Sequence, residues 1–147
     1  MYKHLFVPID GSELSHRAMD GSIELALQLG ARITGFVVEP DLPLAAVSRD
    51  KIAYAKHIEE HTSRNEAHAA ALLVQFEERA RNAGVEFTGA HVESGDIDDA
   101  IAAEADKAGA DMIVMVTHGR GALGEMLFGS HTRQISVRSK LPLLVLH

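Results

Sequence analysis

The chain of 147 residues has no cysteine, which excludes disulfide scaffolds, thiolate metal centres and cysteine nucleophiles. A cytoplasmic setting is the expectation. No run approaches the roughly 18 apolar residues of a membrane span. No basic stretch precedes an apolar one, because Lys3–Ile9 leads straight into Asp10. Neither a membrane segment nor a signal peptide is therefore predicted. Positive charge is also scarce: 14 lysines and arginines face 21 acids, for a net charge of −7. A nucleic-acid partner would need a basic face, so none is expected. Internal repeats, linkers and low-complexity tracts are missing too. With 46% hydrophobic and 24% charged residues, the sequence reads as one soluble domain over 1–147.

What is present is an alternation of short apolar runs and helical patterns. Leu5–Ile9, Ile33–Val38, Val85–Val92, Met112–Val116 and Pro142–Leu146 read as strands. Between them lie a helix capped by Ser12 or Ser15 and stopped by Gly30, a long helix over 52–82, a helix from Asp96 to Lys107, and a short one over 131–139. The order β-α-β-α-β-α-β-α-β predicts a single doubly wound α/β fold of Rossmann-like type, with five parallel strands and helices on both faces. Ligands of such folds bind beyond the carboxyl ends of strands, where strand order reverses.

Two loops occupy such ends. Asp10-Gly11-Ser12 follows the first strand. After the fourth, Thr117–Thr132 holds four glycines within eleven residues and closes on Gly129-Ser130, a plausible helix start. Glycine lets backbone N–H groups approach an anion, and a helix N-terminus adds partial positive charge, so this segment suits phosphate. Charge along the chain agrees: residues 93–111 carry seven acids and one lysine, whereas no acid follows Glu125 and Arg133, Arg138 and Lys140 remain. An anion is best tolerated in that last third.

Spacing discriminates among phosphate motifs. Gly119-Arg-Gly121-Ala-Leu-Gly124 fits the dinucleotide fingerprint by letter, but no acid follows to hold ribose hydroxyls, and the motif sits after the fourth strand. Gly119 and Gly124 have the outer spacing of a phosphate loop, yet Glu125 stands where its lysine belongs. Both are rejected. The pattern that remains is Gly119, nine residues, then Gly129-Ser130. Together with Val7-Pro-Ile-Asp-Gly-Ser12 and Leu127-Phe-Gly-Ser-His-Thr…Leu141-Pro-Leu-Leu-Val145, it resembles the universal stress protein family over essentially the whole chain.

In family members that bind ATP, the resemblance implies roles for individual residues. Pro8 and Asp10 would face adenine and ribose, with the Val37 backbone beside the base. Met115, Val116 and His118 would line the nucleotide, and Gly119 would approach the phosphates. Gly129, Ser130 and Thr132 would hold the phosphate chain, His131 adding its backbone. Mg²⁺ would come only with the nucleotide. The resemblance also implies a homodimer through the last strand, burying Leu144 and Leu146. Val116 departs from the ATP-binding pattern, which has a glycine there. A β-branched side chain fills space and disfavours positive φ, so Val116 bears on both clearance and loop conformation.

Other constellations carry less. Asp10 as a phosphoacceptor would need an acidic partner and a lysine after the last strand, and the sequence has neither. His57, His61 and His68 share a helix face but lack the HExxH signature, and a solvated face is the favoured reading. No nucleophile elbow or hydrolytic base is evident. The expectation is an adenine-nucleotide-binding regulatory dimer of the stress response, with an unidentified protein partner. The alternatives are a nucleotide-independent dimer acting by protein contacts and, third, a slow ATPase.

Overall fold

A computed structural model describes residues 1–41, 51–116 and 130–147. Five parallel strands form one sheet: β1 (His4–Ile9), β2 (Arg32–Glu39), β3 (Phe87–Glu93), β4 (Met112–Val116) and β5 (Leu143–Leu146), in the order β3-β2-β1-β4-β5. Four helices connect them: α1 (Glu13–Leu29), α2 (Lys51–Ala83), α3 (Ile97–Lys107) and α4 (Ser130–Arg138). This is the doubly wound Rossmann-like architecture expected from the alternation.

The strands are apolar on both sides because both sides are covered. On one, Val7, Ile33, Val37 and Val114 meet Met19 and Ala26 of α1 and Phe76 and Ala80 of α2. On the other, Phe6, Phe36 and Ile113 meet Ile101 and Ala105 of α3 and Ile135 of α4. Each layer has an aromatic pair, Phe76–Phe87 with centroids 4.8 Å apart and Phe6–Phe36 at 5.0 Å. Gly35 is required in mid-strand because a Cβ there would lie 2.6 Å from Phe87 and 2.8 Å from Phe76.

Three helices stop in the same way. Gly30, Gly84 and Gly109 adopt positive φ, and the next residue's N–H returns to the last helical turn: Ala31 to Ala26, Val85 to Ala80, Ala110 to Ala105. This is the Schellman ending, with a small apolar residue tucked behind the glycine. It corrects one boundary. Val85, expected to open the third strand, belongs to the α2 ending, and the strand begins at Phe87.

Candidate functional site

β1 is the centre of the sheet. The chain builds outward through β2 and β3, then returns to lay β4 on the other side of β1. Strand order reverses between β1 and β4, and the connections on either side leave the sheet in opposite directions. A cleft of about 260 Å³ opens at their carboxyl ends. Its floor is Pro8, Ile9, Met115 and Val116; one wall is Val38, Ile97 and Ile101, and the other is Ser12, Leu14, Ser15 and Ala18 of the α1 start. His131 and Thr132, at the α4 start, complete it. The site is mostly apolar with polar groups at two points, the usual composition of a small-molecule pocket.

The first polar point is the Asp10 turn. Gly11 sits at φ +83°, and a Cβ there would lie 2.8 Å from the His68 ring of α2, so both conformation and space demand glycine. The turn brings the N–H groups of Asp10 and Gly11 each to 3.0 Å from the Ser15 hydroxyl. Asp10 Oδ1 accepts from the Ser12 N–H at 2.9 Å and from the Ser15 hydroxyl at 3.1 Å. Ser12 is the N-cap of α1 by position, but its side chain makes no capping bond. Burial pushes the Asp10 carboxyl up, and the hydrogen bonds from Ser12 and Ser15 outweigh that effect, holding it below the ordinary carboxylate value. Asp10 is thus an ionised, acceptor-only group at the cleft.

The second point is the α4 start, bound to α3 by charge. His131 Nδ1 lies 2.7 Å from Asp98 Oδ1, and Arg138 reaches both carboxylate oxygens of Asp96 at 2.7 and 2.8 Å. Asp96 also caps α3, accepting from the Asp99 N–H at 3.0 Å. Arg138, one of the three bases after Glu125, therefore meets the acids at the start of α3 and offsets part of the charge asymmetry of the sequence. Thr132 is buried beside the cleft.

A universal stress protein family model matches residues 1–147. The chain belongs to the universal stress protein family. Among curated relatives, it is 26% identical to universal stress protein YxiE of Bacillus subtilis over 147 residues, covering 99% of each chain. It is 30% identical to universal stress protein Rv1636 of Mycobacterium tuberculosis over 146 residues, covering 99% of this chain and 97% of the relative. Solved universal stress proteins share the fold. UspA from Lactobacillus plantarum superposes with a TM-score of 0.80 at 19% identity, covering 99% of this chain and 98% of that one. A universal stress protein in complex with cAMP gives 0.68 at 24%, covering 99% and 97%. The Archaeoglobus fulgidus protein in complex with dAMP gives 0.61 at 20%, covering 99% and 98%.

Within this universal stress protein, six of the site residues expected from sequence come together around the cleft: Pro8, Asp10, Met115, Val116, His131 and Thr132. Val37 is fully buried, its side chain in the α1–α2 layer, while its neighbour Val38 turns to the cleft. Ser130 opens α4, and its side chain is not among the described atoms. His118, Gly119 and Gly129 lie outside the described residues. Val116 ends β4 opposite Leu146, and no non-glycine residue among those described has positive φ. It adopts an ordinary φ, and its side chain lines the cleft.

Sequence reasoning missed Val38, Ile97 and Ile101, which enter through tertiary packing. It offered Ser12 or Ser15 as the helix cap, although the spacing of Ser15 from Asp10 is the signal that those two interact. The histidine row of α2 is not simply solvated either. His61 Nε2 lies 2.9 Å from the Pro40 carbonyl oxygen, and His68 pairs with Glu39, fastening the helix to the end of β2. No group of three histidine or acidic side chains among the described residues is placed to hold a metal.

Proposed function

We propose that this universal stress protein is a regulatory adenine-nucleotide-binding protein that holds ATP or another adenine nucleotide in the cleft between β1 and β4. The observation that carries the reading is the Asp10 carboxylate, ionised and facing an apolar-walled cleft where strand order reverses. An acceptor-only group in such a place selects a ligand that offers hydroxyl donors beside a flat apolar body, which describes a nucleoside. Family relatives in complex with cAMP and dAMP support the same ligand class. Pro8, Met115 and the Val37 backbone flank the base, Asp10 takes the ribose hydroxyls, and Val116 and His118 line the sugar side. Gly119, Gly129, Ser130 and Thr132 hold phosphates, with the His131 backbone. Mg²⁺ enters only on the phosphates.

Occupancy serves regulation rather than turnover. Asp10 is the one carboxylate among the described cleft residues, and its low basicity makes it a poor proton acceptor for an attacking water. The working form is a cytoplasmic homodimer paired through β5, a half-buried apolar strand at the edge of the sheet. A second reading, a nucleotide-independent dimer acting by protein contacts, draws on the Val116 side chain occupying cleft space. Mass spectrometry of small molecules released from freshly purified protein, with calorimetric titration of AMP and Mg·ATP, separates the two. Co-purified adenine nucleotide, or binding heat with a dissociation constant below about 1 mM, is expected. The absence of both gives the second reading the site.

A further inference from the structure

The Asp10 turn contains a proton whose direction is fixed by elimination. A serine hydroxyl has one donor and two acceptor positions. Both acceptor positions of Ser15 are filled, by the N–H groups of Asp10 and Gly11 at 3.0 Å each. The single O–H is left with one partner, Asp10 Oδ1 at 3.1 Å. Ser12 N–H reaches the same oxygen at 2.9 Å. The bonds from the Ser12 N–H and the Ser15 hydroxyl both arrive at Oδ1 and restrain the side-chain torsions, and the Ser12 side chain also bonds the carboxylate. Ser15 itself is 4% exposed and lines the cleft, so water does not compete easily for its hydroxyl.

We propose that Ser15 is a positioning residue, holding the Asp10 carboxylate where it reads the vicinal hydroxyls of a bound ribose, and that ligand selection at this site depends on it. The inference rests on the nucleotide reading above and goes beyond it. Selection against a ligand lacking the hydroxyls arises because a carboxylate held in place opposite the ligand is left without its donors, whereas a mobile one turns away to solvent. Ser15 supplies the fixing, and Asp10 supplies the contact.

The test compares AMP with 2′,3′-dideoxy-AMP by calorimetry in the wild-type chain and in S15A, S15T, D10N and the S15A/D10N double variant. Wild type should prefer AMP by about tenfold, the effect of one hydrogen bond to a charged group. S15A should reduce the preference to about twofold while leaving dideoxy-AMP affinity within about twofold, and S15T should restore most of it. The double variant should discriminate no worse than D10N alone, because both changes act through the same carboxylate. Three results overturn the proposal: a preference that survives S15A, equal loss of both ligands in S15A, or additive losses in the double variant. A wild-type chain that binds AMP without preferring it to dideoxy-AMP removes this inference alone. One that binds neither removes the nucleotide reading as well.

Discussion

The two ends of the sheet use the same chemistry for different purposes. At the amino end, Asp111 Oδ2 accepts the N–H groups of Lys3 and His4, each at 2.8 Å, across separations of 108 and 107 residues. His4, 6% exposed, places Nε2 2.7 Å from the Thr34 hydroxyl and Nδ1 3.2 Å from the Gly109 carbonyl oxygen. This network joins β1 to β2 and to the turn before β4. At the carboxyl end, Asp10 Oδ1 also accepts a backbone N–H and a hydroxyl, but from within five residues of itself. Each carboxylate takes two donors on one oxygen, but Asp111 joins distant segments while Asp10 orders its own turn at the cleft. On the proposed reading, the long-range closure serves stability and the local one serves presentation of a group to a ligand.

If that division holds, stability and binding separate by end. The largest effect is expected from His4→Ala, which opens a void and strands the Thr34 and Gly109 partners. It should cost about 2–4 kcal/mol in chemical denaturation while leaving nucleotide affinity within about twofold. A matching loss of affinity would show the two ends to be coupled. Next, Asp10→Asn should weaken AMP binding about tenfold or more, with stability changed by less than about 1 kcal/mol. A larger stability loss would mean that the local turn is also structural.

Acid should separate the ends in a graded way. Burial, followed by the neighbouring Arg32, holds the His4 pKa below its ordinary value of 6.5. The unfolded chain therefore binds the proton more readily than the folded one, so stability falls as pH drops below about 6.5 and levels off above it. The difference between wild type and His4→Gln, measured by denaturation from pH 5 to 8, should show this slope. Asp10, held below 3.8, stays ionised over the same range and should impose no slope on nucleotide affinity. The smallest effect belongs to Val116→Gly, expected to tighten binding by about threefold through added clearance. Unchanged affinity would show that the side chain does not reach the ligand.

Much of this organisation is written in local sequence. Helix stops at Gly30 and Gly84, the Asp96 cap and the apolar strands follow from short-range rules, and all nine elements appear where those rules put them. Val85 misled because an apolar residue behind a helix-ending glycine looks like the start of a strand. Asp10 was legible as a site residue because a carboxylate at a strand end is conspicuous. Ile97 and Ile101 were not, since helical spacing marks them as core without saying which strands they cover. The His4–Thr34 pair was hidden for the same reason: only the alignment of His4 with Arg32 in the β1–β2 ladder brings them together.

The pairing of Arg138 with Asp96 and of His131 with Asp98 has a consequence for speed. No lysine or arginine lines the cleft among the described residues, and the chain as a whole carries a net charge of −7. On the proposed reading, an anionic nucleotide gains no attraction from the described cleft residues and meets a chain of its own sign of charge. Capture should then be slower than at sites ringed by cations, and adding salt should hasten it rather than slow it. If nucleotide occupancy regulates this protein as proposed, slow capture would make it average over rapid fluctuations in its ligand and report how long a nucleotide level has been sustained.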